Sequence, residues 1–245
     1  NGNFSKLKEI IEKGESHSVI KKGFPVSEVA QPSNFLSLLY YFGLLSITGL
    51  DERKNAVLEI PNETVKQLYF DYIRSTYTET TGFTLDMGQY TTLIEDMAYE
   101  GRWKPLLDYL SSRIEANMSL RDLILGEKAV QSFLNVYLGL SDVFIVHGEK
   151  ELNKGFADLV LEGYTIKYPN IKYSYMIEIK YMKPTPADRD NKQNIDPNTL
   201  EQLKKDAQDQ LNRYSLDERF KKTIGKTELI KLVLIFSGHR LAYMG

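Results

Sequence analysis

The sequence predicts an α/β protein in two parts: a mainly helical first part, then an α-β-β-β-α-β succession that forms a mixed sheet between helices. Three observations predict it. Apolar residues recur at helical spacing over most of residues 1–112. Three apolar, β-rich runs then follow one another across residues 143–181, with turn residues between them. A last apolar, β-branched-rich run at 229–236 comes after a helical stretch.

The elements can be justified in chain order. Residues 4–13 form a short amphipathic helix with Leu7, Ile10 and Ile11 on one side. Residues 33–42 form a second, apolar helix. Strands are expected at 44–48 and 56–60, around a turn carrying Gly49, Asp51 and Asn55. Pro61-Asn62 ends the second strand, and 63–76 is helical again. Helix, small hairpin, helix is the outline of a winged-helix-like subdomain; the alternative is an arbitrary helical subdomain. Residues 85–110 supply two helices split near Gly101, with Pro105 in the first turn of the second. Trp103, the single tryptophan, reads as core.

In the second part, Ser119-x-x-Asp122 resembles a capping box that opens a helix running to about Leu138, with Val130, Phe133, Leu134 and Tyr137 as its apolar stripe. Strands are expected at 143–151, 156–166 and 172–181, with Pro169-Asn170 as a turn. The polar stretch 183–198 is a loop. Residues 200–214 form a helix with Leu200, Leu203, Ala207, Leu211 and Tyr214 in register, and 229–236 is a buried strand. The expected domains are 1–112 and 113–245.

Composition narrows the function classes. The chain has 245 residues, 42% hydrophobic and 26% charged, so it can bury a sizeable core without a metal or disulfide staple. Lys and Arg total 31 and Asp and Glu 33, a net charge of −2, which excludes a polybasic binder but not a local basic groove. The second part is slightly basic and the first acidic. With no cysteine there is no thiolate site or cysteine nucleophile, and His17, His147 and His239 are too scattered for a zinc motif. No apolar run approaches bilayer length and no signal peptide is visible, which leads to the expectation of a cytoplasmic protein. The chain starts at Asn1 rather than Met, as a fragment of a longer chain would.

The charged residues of the apolar strands carry the chemistry. On the 172–181 strand, alternation puts Tyr175, Ile177, Ile179 and Tyr181 on one face and Met176, Glu178 and Lys180 on the other. Two charges on one face of a central strand are costly unless paired or bound to metal; the alternative is an edge pair facing water. On the preceding strand Phe156, Asp158 and Val160 share a face. If the strands pair as a hairpin, Asp158 and Glu178 converge, and a hard cation such as Mg2+ or Mn2+ would neutralise them. Lys180 points to the same side and can hold a water or stabilise a phosphate oxygen. Glu127 falls on the inward stripe with Val130 and Leu134, or is simply a first-turn glutamate favoured by the helix dipole. Gln210, between Ala207 and Tyr214, can orient a water or phosphate, or be a core glutamine bonded to backbone.

These residues resemble the PD-(D/E)XK nuclease superfamily, and more closely the branch found C-terminal to an AAA-ATPase-like domain. The resemblance spans about residues 115–240. It rests on Gly126-Glu127-Lys128-Ala129-Val130-Gln131-Ser132-Phe133, Gly155-Phe156-Ala157-Asp158-Leu159-Val160-Leu161, Met176-Ile177-Glu178-Ile179-Lys180-Tyr181 and Ala207-Gln208-Asp209-Gln210-Leu211-Asn212-Arg213-Tyr214. The first part resembles the segment joining ATPase and nuclease in that family, including the Leu-Leu-Tyr-Tyr-Phe-Gly run at 38–43. The family's proline is replaced by Ala157, and no G-x-x-x-x-G-K-S/T loop is present.

The resemblance implies a restriction-endonuclease-like αβββαβ core and metal-dependent phosphodiester hydrolysis of DNA, or RNA, as endonuclease or exonuclease. It implies Asp158, Glu178 and Glu127 as ligands of Mg2+ or Mn2+, Glu127 directly or through water, with a backbone carbonyl near Ile179 as an extra ligand. Lys180 would position or activate the attacking water, with Gln210 beside it. Lys204, Lys205, Arg213, Tyr214, Lys221 and Lys222 are candidates for contact with the nucleic acid; the alternative is a set of scattered surface side chains. The implied partner is an ATPase-like domain outside this chain. The competing readings are a catalytically inactive nucleic-acid-binding module and an assembly scaffold with the same fold.

Overall fold

A computed structural model describes residues 2–29, 31–81, 84–117, 127–182 and 196–245. The chain divides into two compact units, Asn1–Ser75 and Thr76–Gly245.

The first unit begins with α1 (Gly2–Lys13) and β1 (Glu15–Ser18), passes through short 3-10 turns at Val26–Glu28 and Pro32–Asn34, and continues as α2 (Phe35–Tyr41), β2 (Ser46–Leu50), β3 (Ala56–Glu59) and α3 (Glu63–Thr81), which runs into the second unit. The strands form an antiparallel sheet in the order β1-β3-β2. Leu7, Ile10, Ile11, Leu36, Leu39, Leu58 and Phe70 are among its buried apolar residues. The helix, hairpin, helix outline is present. Strand β1 was not legible because Glu15-Ser16-His17-Ser18 has no apolar alternation; His17 instead hydrogen-bonds Asp51 at the hairpin turn, 3.1 Å away.

The second unit contains α4 (Met87–Glu100), α5 (Lys104–Asn117), α6 (Glu127–Leu138), β4 (Phe144–Leu152), β5 (Gly155–Gly163), β6 (Tyr173–Met182), α7 (Pro197–Tyr214), α8 (Glu218–Ile224), β7 (Glu228–Ser237) and β8 (Arg240–Met244). Its five-stranded sheet has the order β4-β5-β6-β7-β8, parallel only between β6 and β7. Helix α7 lies between those two strands in sequence, as a parallel pair requires a crossover. The result is the mixed α/β, restriction-endonuclease-like sheet flanked by helices that the sequence predicts. The proposed capping box at 119–122 and most of the 183–198 loop lie outside the described residues.

The unit boundary comes earlier than the joint expected near residue 112, because α4 and α5 pack with the sheet. Tyr175 sends its hydroxyl to the Met97 carbonyl at 2.7 Å, and Tyr90 sends its own to the Tyr137 carbonyl at 2.7 Å. Asp86 caps α4 by accepting from the Gln89 amide, and Gly101 ends it with φ 71°. A side chain at Gly101 would also press on the Tyr173 ring, at 3.0 Å.

Strand β6 is central. Ser174 to Ile179 are all buried, so both faces are covered. Tyr175 faces α4, while Met176 joins the core beneath α7 and α8 with Val160, Ala207, Leu211, Tyr214, Phe220 and Val233. Glu178 and Lys180 are on the Met176 side by alternation. Helix α7 starts three residues before the expected position. Asp196 caps it by accepting from the Asn198 and Thr199 amides, and Pro197 sits at its first turn. Helix α8 is too short for a periodic signal, and β8 is a short edge strand; neither was predicted.

Candidate active site

The β4–β5 turn positions the first acid. Asn153 and Lys154 both have positive φ, 45° and 64°, the geometry of a tight two-residue hairpin. Three contacts fix this turn to the end of α7 and the start of α8. Asn153 donates its amide N–H to Asp217 at 3.0 Å and its side-chain NH2 to the Arg213 carbonyl at 2.8 Å. Gly155 has no side chain to obstruct Tyr214, whose hydroxyl would lie 2.7 Å from an added Cβ.

Beyond the turn, the expected alternation along β5 breaks. The sequence reading put Phe156, Asp158 and Val160 on one face. In the structure Ala157 and Val160, three residues apart, both enter the core beneath α7, and Phe156 is 59% exposed. The slip falls at Asp158. Pairing of β5 with β6 begins only at Leu159↔Ile177, so Asp158 is not in the ladder. Its carboxylate Oδ2 instead accepts the Ile179 amide N–H at 2.7 Å. This hydrogen bond sets Asp158 beside the strand that carries Glu178 and Lys180.

Glu178 is 2% exposed. Its Oε1 accepts from the Lys180 ammonium at 2.8 Å, while its Oε2 is buried with no hydrogen-bond partner among the described residues. Helix α7 supplies the opposite wall. Lys180, Leu203, Asp206, Asp209, Gln210 and Arg213 line one open groove. Gln210 Oε1 is also buried and without a partner among the described residues.

The electrostatics follow from this packing. Burial, then the charge of Glu178, pushes the Asp158 carboxyl from 3.8 up to about 7; the Ile179 amide and Lys180 act against the shift and Glu127 adds to it. Burial also raises Glu178, against the hydrogen bond and charge of Lys180. Burial disfavours the Lys180 ammonium, but the hydrogen bond and charge of Glu178, with the charges of Asp158 and Glu127, outweigh it and its pKa is raised. Lys180 therefore keeps its proton at neutral pH.

Asp158, Glu178 and Lys180 thus come together, and Gln210 shares the groove that Lys180 lines. Glu127 opens α6, is half-buried, and acts on the acids and the lysine through its charge. Among the described residues, no group of three or more His, Cys, Asp or Glu side chains is gathered so that it could hold a metal ion. The two acids nevertheless suit a hard divalent cation: burial pushes both upward, and Glu178 Oε2 has no hydrogen-bond partner among the described residues.

The outlying candidates divide. Arg213 and Lys205 are exposed. Lys204 is engaged by Glu201 at 2.5 Å and lies 4.2 Å over the Tyr243 ring. Tyr214 is 3% exposed, so its ring is a core residue and has no free face for a base. Lys221 pairs with Glu218 at 2.8 Å and Lys222 is exposed, both on α8. The sequence reading missed Gln131, whose side chain reaches the Asp158 carbonyl at 3.1 Å. A polar residue within the buried run of α6 was the available signal.

Among the described residues, no helix is long and apolar enough to cross a membrane. No curated protein and no solved structure matches the chain. Residues 125–244, the stretch that carries the whole five-stranded sheet with Asp158, Glu178, Lys180 and Gln210, match the family model of the PD-(D/E)XK nuclease superfamily.

Proposed function

We propose that residues 113–245 form a metal-dependent nuclease domain that hydrolyses phosphodiester bonds of DNA. We further propose that the chain belongs to a larger protein with an AAA-ATPase-like domain, acting in the cytoplasm. The observation that carries the nuclease reading is the meeting of Asp158 and Glu178 beside Lys180, with one Glu178 oxygen buried and partnerless.

In this reading Asp158 and Glu178 hold Mg2+ or Mn2+, and Glu127 acts through an intervening water, in keeping with its purely electrostatic influence on the pair. A divalent cation there supplies a water of lowered pKa and neutralises charge on the phosphate. Lys180, which stays protonated, orients the attacking water or stabilises a phosphate oxygen; it is a donor and a charge, not the base. Gln210 offers its free oxygen to a water in the same groove. Arg213, which lines that groove, meets the phosphate backbone in this reading, with Lys205 outside it.

One observation favours a second reading, a catalytically inactive nucleic-acid-binding or scaffold module: no three-acid group is present among the described residues. A binding module predicts salt-dependent association with DNA and no cleavage. Titration calorimetry with Mn2+ separates the two. The nuclease reading expects binding that is lost in Glu178→Ala. No binding, or binding unchanged by that substitution, removes the metal site.

A further inference from the structure

We propose that Gln131 is a positioning residue for Asp158: from the buried face of α6 it holds the acid-bearing residue where the pairing of β5 is interrupted toward both neighbouring strands. Its importance for metal binding rests on the function proposed above; its role in placing Asp158 does not.

Asp158 is released from two ladders at once. Toward β6, pairing begins one residue later, at Leu159↔Ile177. Toward β4, the register passes from Gly148↔Leu159 to Lys150↔Ala157 and skips the Glu149–Asp158 pair. Glu149 has φ 49°, a conformation that a residue with a side chain seldom adopts. The faces record the same break. Ala157 and Val160 both pack beneath α7, and on the partner strand His147 and Lys150 both reach Glu162. A residue freed in this way lacks the ladder bonds that normally fix its direction.

Three hydrogen bonds replace the ladder, one of them from the Asp158 amide to the Glu178 carboxylate. The Asp158 carboxylate takes the Ile179 amide, and the Asp158 carbonyl takes the Gln131 side-chain NH2 at 3.1 Å. Gln131 is 7% exposed, in a helix whose residues from Ala129 to Leu138 are all buried, so the amide is held by packing. Three positions earlier on α6, Lys128 pairs with Glu149 at 2.7 Å. Residues three apart share a helix face, so one face of α6 grips both strands at their common irregularity. The Lys128 side chain is 65% exposed, which leaves the buried Gln131 as the firmer hold.

The test is amide hydrogen exchange in EDTA, comparing wild type with Gln131→Met, which keeps length and helix compatibility but has no donor. If Gln131 places Asp158, the Ile179 amide loses its acceptor and exchanges at least about tenfold faster, while Ile177 and Leu234 keep their rates. Mn2+ affinity then falls by about 10- to 100-fold, the usual scale for a residue that orients a ligand. Wild-type protection of Ile179 in a folded Gln131→Met protein overturns the proposal. If Gln131→Met does not fold, Gln131→Asn, which draws the amide back by one methylene, is read with the same two outcomes. Asp158→Ala separates this inference from the function. If it leaves Mn2+ affinity untouched, the metal site fails, and Ile179 exchange still decides the role of Gln131.

Discussion

Replacing Asp158 by Asn should stabilise the metal-free protein, and the gain should depend on pH. Asn keeps the size of the side chain and an oxygen for the Ile179 amide, but it does not ionise. In the fold the Asp158 carboxyl is raised from 3.8 to about 7 by burial and by Glu178. The folded state therefore holds this proton more tightly than the unfolded chain. Its contribution favours folding fully below pH 3.8, declines as the pH rises, and is gone above about 7. At about 1.4 kcal/mol per pH unit, the interval from 3.8 to about 7 sets a ceiling of about 4 kcal/mol. Relaxation and water entry around a charge reduce such costs, so the advantage of Asp158→Asn over wild type should grow by about 2 kcal/mol between pH 4.5 and pH 8. Urea unfolding in EDTA at the two pH values, followed by circular dichroism, measures it. An advantage equal at both values, or a variant weaker than wild type at pH 8, would refute the reasoning. Mn2+ should reverse the order at pH 8, because a ligand that binds the folded state stabilises it.

Lys180→Met leaves Glu178 buried without its cation. It should lower stability by about 3 kcal/mol at pH 8, and by less at pH 5, because burial raises the Glu178 carboxyl and so eases its protonation as the pH falls; thermal midpoints at the two pH values check it. Gly155→Ala drives a Cβ to within 2.6 Å of the buried Tyr214 ring. It should cost about 1–3 kcal/mol, seen as a lower urea midpoint with unchanged slope. Asp217 is held at about 2, first by the Asn153 and Phe220 amides. Its contribution is present above the ordinary carboxylate value of 3.8 and is lost as the pH falls toward about 2. Asp217→Asn should remove that part of the acid transition, so the stability gap between wild type and variant closes between pH 4 and pH 2 in acid unfolding.

The residues that announce the site are those whose charge conflicts with an apolar strand. Glu178 and Lys180 stood out because β6 is otherwise apolar, and the structure places both on the face opposite Tyr175, as alternation requires. Strict alternation failed one strand earlier. It could not show that the alternation along β5 breaks at Asp158, since the cause lies in a positive φ at Glu149 and in a hydrogen bond from Ile179, neither of which has a local signature. Tyr214 falls in the apolar stripe of its helix and is also a candidate for contact with the nucleic acid. The close approach of Gly155 decides for the core. Helix α7 was placed from its apolar stripe, yet its start was written in Asp196-Pro197, a cap followed by a first-turn proline. Strand β1 and helix α8 were missed for different reasons. The first is polar and owes its existence to pairing with β3; the second is only seven residues long.

The central claim is that Asp158, Glu178 and Lys180 act together on a phosphodiester bond. Cleavage of plasmid and branched DNA with Mg2+ or Mn2+, comparing wild type with Asp158→Ala and Lys180→Ala, tests it most directly. The account predicts cleavage by the wild type that stops in EDTA and is lost in both variants. Equal cleavage by all three proteins, or cleavage that persists in EDTA, would contradict it.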